Sequence, residues 1–95
     1  MKLAPIQIGP VTIDCPIVLA PMTGVTDMPF RTIVRRFGSG LNVTEMIASQ
    51  AMIRETRQSL QKCEWHASEE PVSMQLAGCT PYEMGEAAKL NEDRG

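Results

Sequence analysis

Apolar positions along the chain follow three different periods, and each predicts a different element. Ile6, Ile8, Val11 and Ile13 nearly alternate around Gly9-Pro10, a spacing that predicts a short β-hairpin turning at the Gly-Pro pair. Ile17 to Ala20 is apolar without a break, as in a parallel strand covered on both faces. Phe30, Ile33, Val34 and Phe37 then fall at i, i+3, i+4 and i+7, the single stripe of an amphipathic helix over 28–37. Thr26, Asp27 and Pro29 mark the start of that helix, and Gly38 and Gly40 its end. Arg31, Arg35 and Arg36 fall off the stripe; they could meet phosphate, but an arginine face on a helix reads first as solvated.

The rest of the chain continues the alternation. Leu41 to Thr44 reads as a second strand, and the polar stretch 49–62 as helix-compatible, with Ala51, Met52 and Leu60 toward the core. A loop over 64–70 leads to Pro71 and a third strand over 72–77. Thr80 is then placed to cap a helix, with Pro81 in its first turn and Glu83 completing a capping box. Met84, Ala87 and Ala88 face the core of that helix as it runs toward Gly95. The order hairpin, β, α, β, α, β, α predicts the α/β class, with a parallel sheet and right-handed crossovers. There is no internal repeat, low-complexity tract or linker. A length of 95 residues makes this one small domain or a piece of a larger one, and Arg94-Gly95 reads as an interruption before a further strand.

Charge and cysteine content narrow the picture modestly. A formal charge of −2 provides no global basic field, so net charge lends nucleic-acid binding no support. Cys15, Cys63 and Cys79 show no C-x-x-C spacing, which suits a reduced, cytosolic compartment. The opening residues lack a signal-peptide core, and the longest apolar run is far short of a membrane span. The expectation is a soluble, cytoplasmic protein with no membrane contact. Cys63-x-x-His66 supplies only two ligands without a second pair, so no metal site is expected and His66 reads as a surface loop residue. Cys15 and Cys79 flank strands, and neither is placed as a nucleophile or acid.

The stretch Leu19 to Arg31, LAPMTGVTDMPFR, carries the chemistry. A strand ending in a proline-stiffened loop that leads into a capped helix is how α/β enzymes present backbone to a ligand. The backbone at Pro21 and Met22 is thus placed to lie against a flat cofactor. Together with Gly38-Ser-Gly-Leu41, Thr44-Glu-Met46 and Met74-Gln-Leu-Ala-Gly78, in the same order and spacing, this stretch resembles the opening of the bacterial tRNA-dihydrouridine synthases, their B branch in particular. The resemblance covers essentially the whole chain.

That resemblance implies a (β/α)8 TIM barrel with flavin mononucleotide (FMN) at its C-terminal mouth. Residues 1–95 would be its N-terminal part, about three βα units plus the leading hairpin. The rest of the barrel and a helical tRNA-binding domain would lie beyond. A whole barrel takes about 250 residues. The implied reaction reduces uridine in tRNA to dihydrouridine, with NAD(P)H as reductant. Hydride passes through the flavin to C6 of a uracil turned out of its stack, and a cysteine acid protonates C5. That cysteine belongs to a Gly-Cys-Pro-type segment expected just beyond Gly95, so no catalytic residue is assigned within the chain. This stretch alone is expected to be inactive and to bind little flavin, and the full-length enzyme to be a monomer.

Pro21, Met22 and Thr23 match the family's loop along the flavin, and Gln75 matches the third-strand glutamine whose amide bonds the flavin ring. Each has a plainer reading. Ala-Pro-Met also serves as a strand-ending turn, and Gln75 could satisfy neighbouring backbone groups. Their joint position at the C-terminal ends of two barrel strands favours the cofactor role. Glu45, ending the second strand, either holds the substrate side of the site or orients loops. Two other functions are compatible. Another FMN-dependent barrel of the dihydroorotate-dehydrogenase kind could share the Ala-Pro-Met loop, although the continuation to Arg31 argues against it. A non-catalytic module could instead bind a partner through an open sheet.

Overall fold

The computed structural model describes residues 3–54 and 57–95. β1 (Ile6–Ile8) and β2 (Val11–Ile13) form the expected antiparallel hairpin, with Ile6 opposite Ile13 and Ile8 opposite Val11. Gly9 takes φ +55° at the first turn position, a conformation open to glycine without steric penalty. Only Ile13 of the four apolar positions is buried; Ile6, Ile8 and Val11 are exposed.

β3 (Val18–Leu19), β4 (Leu41–Val43) and β6 (Val72–Ser73) pair in parallel in the spatial order β3-β4-β6. Helices separate them in sequence, so the βαβ expectation holds and the chain is a mixed α/β structure with parallel pairing. Two strands are interrupted. β5 (Ile47–Ala48) and β7 (Leu76–Ala77) form their own parallel pair beyond β4 and β6. Residues 44–46 there face only 74 and 75, so the register slips by one residue, as at a β-bulge. The second expected strand thus ends at Val43, and the third, 72–77, is broken at Met74-Gln75.

The run Ile17–Ala20 is not covered on both faces: Ile17 and Val18 are each about half exposed. A parallel strand gains that cover from layers on either side, and the described elements do not supply both. The same holds for α1 (Met28–Arg36). Its start is as expected, with the Asp27 carboxylate accepting from Phe30 N–H at 3.0 Å and proline in the first turn. Gly38, just past its end, takes φ +112°. Its apolar stripe faces outward, however, with Phe37 89% exposed and Ile33 and Phe30 also exposed. The buried residue of α1 is Arg31, 2% exposed. The expectation of a solvated arginine face is overturned for Arg31 and also for Arg35, whose Nη1 donates to Ser39 O at 2.7 Å and Gly40 O at 2.6 Å. Within residues 1–95, polar partners hold the Arg31 side of α1, while its apolar stripe has no described element against it.

The expected helix over 49–62 is described as α2 (Ser49–Ile53) and α3 (Arg57–Lys62), with 55 and 56 outside the described residues. α4 (Pro81–Asp93) begins where expected, but Thr80 makes no side-chain cap. Glu83 instead accepts from Gln50 Nε2 at 3.0 Å, tying α4 to α2 rather than closing a capping box. Ile47, Met52, Cys63 and Ala87 form the small apolar core, with Leu76 and Leu90 packed against it. Ala88, expected inside, is exposed. Burial pushes the Cys63 thiol above its ordinary pKa, an effect only partly offset by the nearby Arg94 charge.

Gly40 packs directly against the chain: a Cβ there would overlap the Cys15 carbonyl and come within 2.9 Å of Ile13 Cγ2. Gly40→Ala is therefore expected to cost about 3 kcal/mol or more, measured as a fall in the urea midpoint at unchanged slope. Cys63, buried and held as the neutral thiol, is expected to resist iodoacetamide at pH 8 in native protein and to label only in denaturant, as read by peptide mass spectrometry.

Candidate functional site

Because β3, β4 and β6 are parallel neighbours, the segments that leave their C-terminal ends share one end of the sheet. Leu19 is followed there by Pro21, Met22 and Thr23, Val43 by Thr44 and Glu45, and Ser73 by Met74 and Gln75. The structure thus brings the four expected cofactor residues to one edge, by way of two residues of the intervening strand.

The loop after β3 is closed on itself. Met22 N–H donates to Thr26 Oγ1 at 3.0 Å, and Met22 O accepts from Val25 N at 2.9 Å and Thr26 N at 3.0 Å. The Thr26 hydroxyl also reaches Met22 O at 3.2 Å, and Thr26 is fully buried. With both its backbone groups engaged, Met22 presents its exposed thioether outward. Pro21 beside it is half-buried, and Thr23 is exposed with no hydrogen bond among the described residues. Gly24 sits at the loop tip with φ +80°, and its N–H donates to Glu45 Oε1.

Of the two roles left open for Glu45, that last bond supports the orienting of the loop. The bulge is what permits it, since an extra residue bends the strand and re-aims a side chain. Thr44 serves the other side. Its N–H donates to Ser73 O at 2.9 Å, and its hydroxyl accepts from Gln75 N–H at 3.0 Å, taking the place of a ladder carbonyl. Gln75 O accepts from Ile47 N at 3.0 Å, which resumes the pairing. The Gln75 backbone is thereby pinned, while its half-buried carboxamide makes no hydrogen bond among the described residues. A pinned amide with donor and acceptor both free suits the edge of a planar heterocycle that offers the complementary pair.

A second network lies behind the loop. Arg31 Nη1 donates to Thr26 O at 2.9 Å, and Nη2 donates to Glu64 O at 2.8 Å and to Glu69 Oε1 at 3.0 Å. Glu69, fully buried, ends a 3-10 turn over Ala67–Glu69 and also accepts from His66 N–H at 3.3 Å. Arg31 O in turn accepts from buried Asn42 Nδ2 at 2.9 Å, linking α1 to β4. Sequence reasoning missed Thr26, Thr44, Arg31 and Glu69 as supports of the site. Thr26, Thr44 and Arg31 lie within the stretches that carry the resemblance, whereas nothing around Glu69 signalled a buried carboxylate.

Cys63 and His66 do not converge. Cys63 Sγ lies 3.4 Å from Met52 Sδ in the core, and the exposed His66 ring turns its Nδ1 to Ser68 N–H at 3.1 Å. Among the described residues no group of three or more His, Cys, Asp or Glu gathers as a metal site, and no helix is long and apolar enough to cross a membrane.

Thr44→Val, nearly isosteric, leaves the Gln75 N–H without its acceptor. It is expected to lower stability by about 1–3 kcal/mol, with Thr44→Ser close to wild type, measured by denaturant unfolding.

The dihydrouridine synthase (Dus) family profile matches residues 18–95. A probable tRNA-dihydrouridine synthase of Rickettsia bellii is 56% identical over 91 residues, covering 95% of this chain and 28% of that protein. The tRNA-dihydrouridine synthase B proteins of Xanthomonas campestris and Pseudomonas aeruginosa are 46% and 41% identical, over 94% and 95% of the chain and 27% of each relative. The chain therefore spans just over a quarter of the length of these relatives. With the family match running from β3 through α4, across every strand end that builds the site, this chain belongs to the dihydrouridine synthase family.

Proposed function

We propose that this chain forms the first part of a flavin-dependent tRNA-dihydrouridine synthase, and that the edge formed by Pro21, Met22, Thr23 and Gln75 holds FMN. The observation that carries the reading is the Gln75 carboxamide, whose backbone is fixed by Thr44 and whose donor and acceptor have no partner among the described residues. FMN bound there, and reduced by NAD(P)H, would supply the hydride that converts a tRNA uridine to dihydrouridine.

The residues present fit such a group. Pro21 removes one backbone N–H from the loop and stiffens it. Met22 offers a polarizable, apolar surface for a flat ring, and the self-closed loop leaves no Met22 backbone polar group facing it. Thr23 has a hydroxyl and an N–H without partners among the described residues, available to a ring or phosphate oxygen. Gln75 fixes orientation in the plane of the ring through paired donor and acceptor. None of these groups moves a proton in the reaction. The acid that completes the reduction belongs, on this reading, to sequence outside residues 1–95.

The domain reading follows. Residues 1–95 would be the opening three βα units and leading hairpin of a TIM barrel, with a tRNA-binding helical domain elsewhere in a cytoplasmic, monomeric protein. Two observations support a larger domain: relatives more than three times as long, and the exposed apolar positions Ile17, Val18, Ile33 and Phe37, which a closed barrel would cover. Of the other readings, the family match favours this one over a dihydroorotate-dehydrogenase-like barrel or a non-catalytic module.

The full-length gene product should purify with a flavin absorption spectrum and restore dihydrouridine to tRNA from a strain lacking its own synthases, as read by mass spectrometry of tRNA nucleosides. Gln75→Leu should weaken FMN retention about tenfold for the loss of its hydrogen bonds. A colourless wild-type protein that cannot be reconstituted with FMN would refute the cofactor assignment.

A further inference from the structure

Arg31 is the largest fully buried side chain among the described residues, and nothing in the proposed chemistry uses it. Its guanidinium joins three separate segments: the loop after β3 through Thr26 O, the segment after α3 through Glu64 O, and the 3-10 turn through Glu69. Thr26 in turn holds both backbone groups of Met22. The contacts therefore run without a gap from Glu69 through Arg31 and Thr26 to the Met22 backbone. At the other side of the loop, Glu45 holds Gly24.

We infer that Glu69, Arg31 and Thr26 form a positioning relay that sets the Met22 backbone against the cofactor. The inference rests on the reading of Met22 as part of the FMN site and assigns new residues to it. The cost of the arrangement argues for a task. Among the described residues, Arg31 Nε and Glu69 Oε2 are buried without hydrogen-bond partners, and buried pairs of this kind are often replaceable by apolar residues without loss of stability. An apolar α1 face would pack α1 as well. It could not donate to the Thr26 carbonyl, and so could not fix the residue whose hydroxyl receives the Met22 N–H. Arg31 and Glu69 touch neither substrate nor cofactor on this reading; they act through Thr26.

The test uses the full-length gene product and two independent perturbations. The double variant Arg31→Met with Glu69→Leu removes both charges together, so neither remains buried alone. Thr26→Val removes only the hydroxyl, and Thr26→Ser returns it. Far-UV circular dichroism confirms folding, FMN fluorescence gives the dissociation constant, visible circular dichroism reports the flavin environment, and hydrogen exchange of the peptide containing Met22 reports the loop. The relay requires about tenfold weaker FMN binding, a changed visible dichroism and faster Met22 exchange in Thr26→Val, with Thr26→Ser near wild type. The folded double variant should match Thr26→Val; if it does not fold, the Thr26 pair decides alone. Wild-type protein that binds no FMN would overturn the cofactor reading, and the relay's role in binding with it. Wild-type protein that binds FMN, alongside folded variants with unchanged affinity and unchanged Met22 exchange, would overturn the relay and leave the cofactor reading standing.

Discussion

Burying the Arg31 guanidinium against Glu69 is the constraint from which the described structure is organised. Removing two full charges from water costs several kcal/mol per ion even after relaxation, and only close pairing with additional hydrogen bonds offsets it. The chain meets that demand with two backbone carbonyls, Thr26 O and Glu64 O, and with the Glu69 carboxylate. Each partner comes from a different segment, so satisfying one side chain fixes the loop after β3, the 3-10 turn and the rotation of α1 together. Asn42, bonding Arg31 O and accepting from Ser39, carries the same polar layer into β4.

The second organising device is the break between β4–β6 and β5–β7. An uninterrupted ladder would keep every side chain of residues 41–48 and 72–77 in strict alternation. The extra residue at 44–46 releases Glu45 toward Gly24 and lets the Thr44 hydroxyl stand in for a carbonyl opposite Gln75. The sheet thereby spends local regularity on fixing two separate pieces of the site, the loop of Met22 and the backbone of Gln75. Bulges beside functional sites commonly play this part. Here the bulge explains how a glutamine inside a strand keeps its carboxamide free of backbone duties.

Much of the local structure was legible along the chain. The Gly9-Pro10 hairpin, the start of α1 around Asp27, the glycine stop at Gly38 and the parallel pairing of three strands all rest on interactions within a few residues or on simple alternation. Where local reasoning failed, a partner distant in sequence had intervened. Glu83 was drawn from its expected capping box to Gln50, 33 residues away. Arg31 was drawn inward by Glu69, 38 residues away, and the apolar stripe of α1 was left facing out. Periodicity identifies which face of a helix is apolar, but not which face its immediate neighbours will occupy. Of the proposed site, the loop and Gln75 were readable from the motif, while the bonds of Glu45 to the loop, of Thr44 to Gln75 and of Glu69 to Arg31 join residues 21 to 38 positions apart.

By itself, then, the sequence determined the alternation of strands and helices, the parallel α/β class and the family, and it singled out the four residues proposed for the cofactor site. These follow from short-range backbone preferences and from a motif whose residues lie close together. Only the tertiary structure showed that Glu45 bonds the loop at Gly24, that Thr44 fixes Gln75, and that Arg31 is a buried link rather than a solvated charge. Those roles depend on electrostatic and hydrogen-bond complementarity across tens of residues: a buried polar group must find its partners wherever the fold places them.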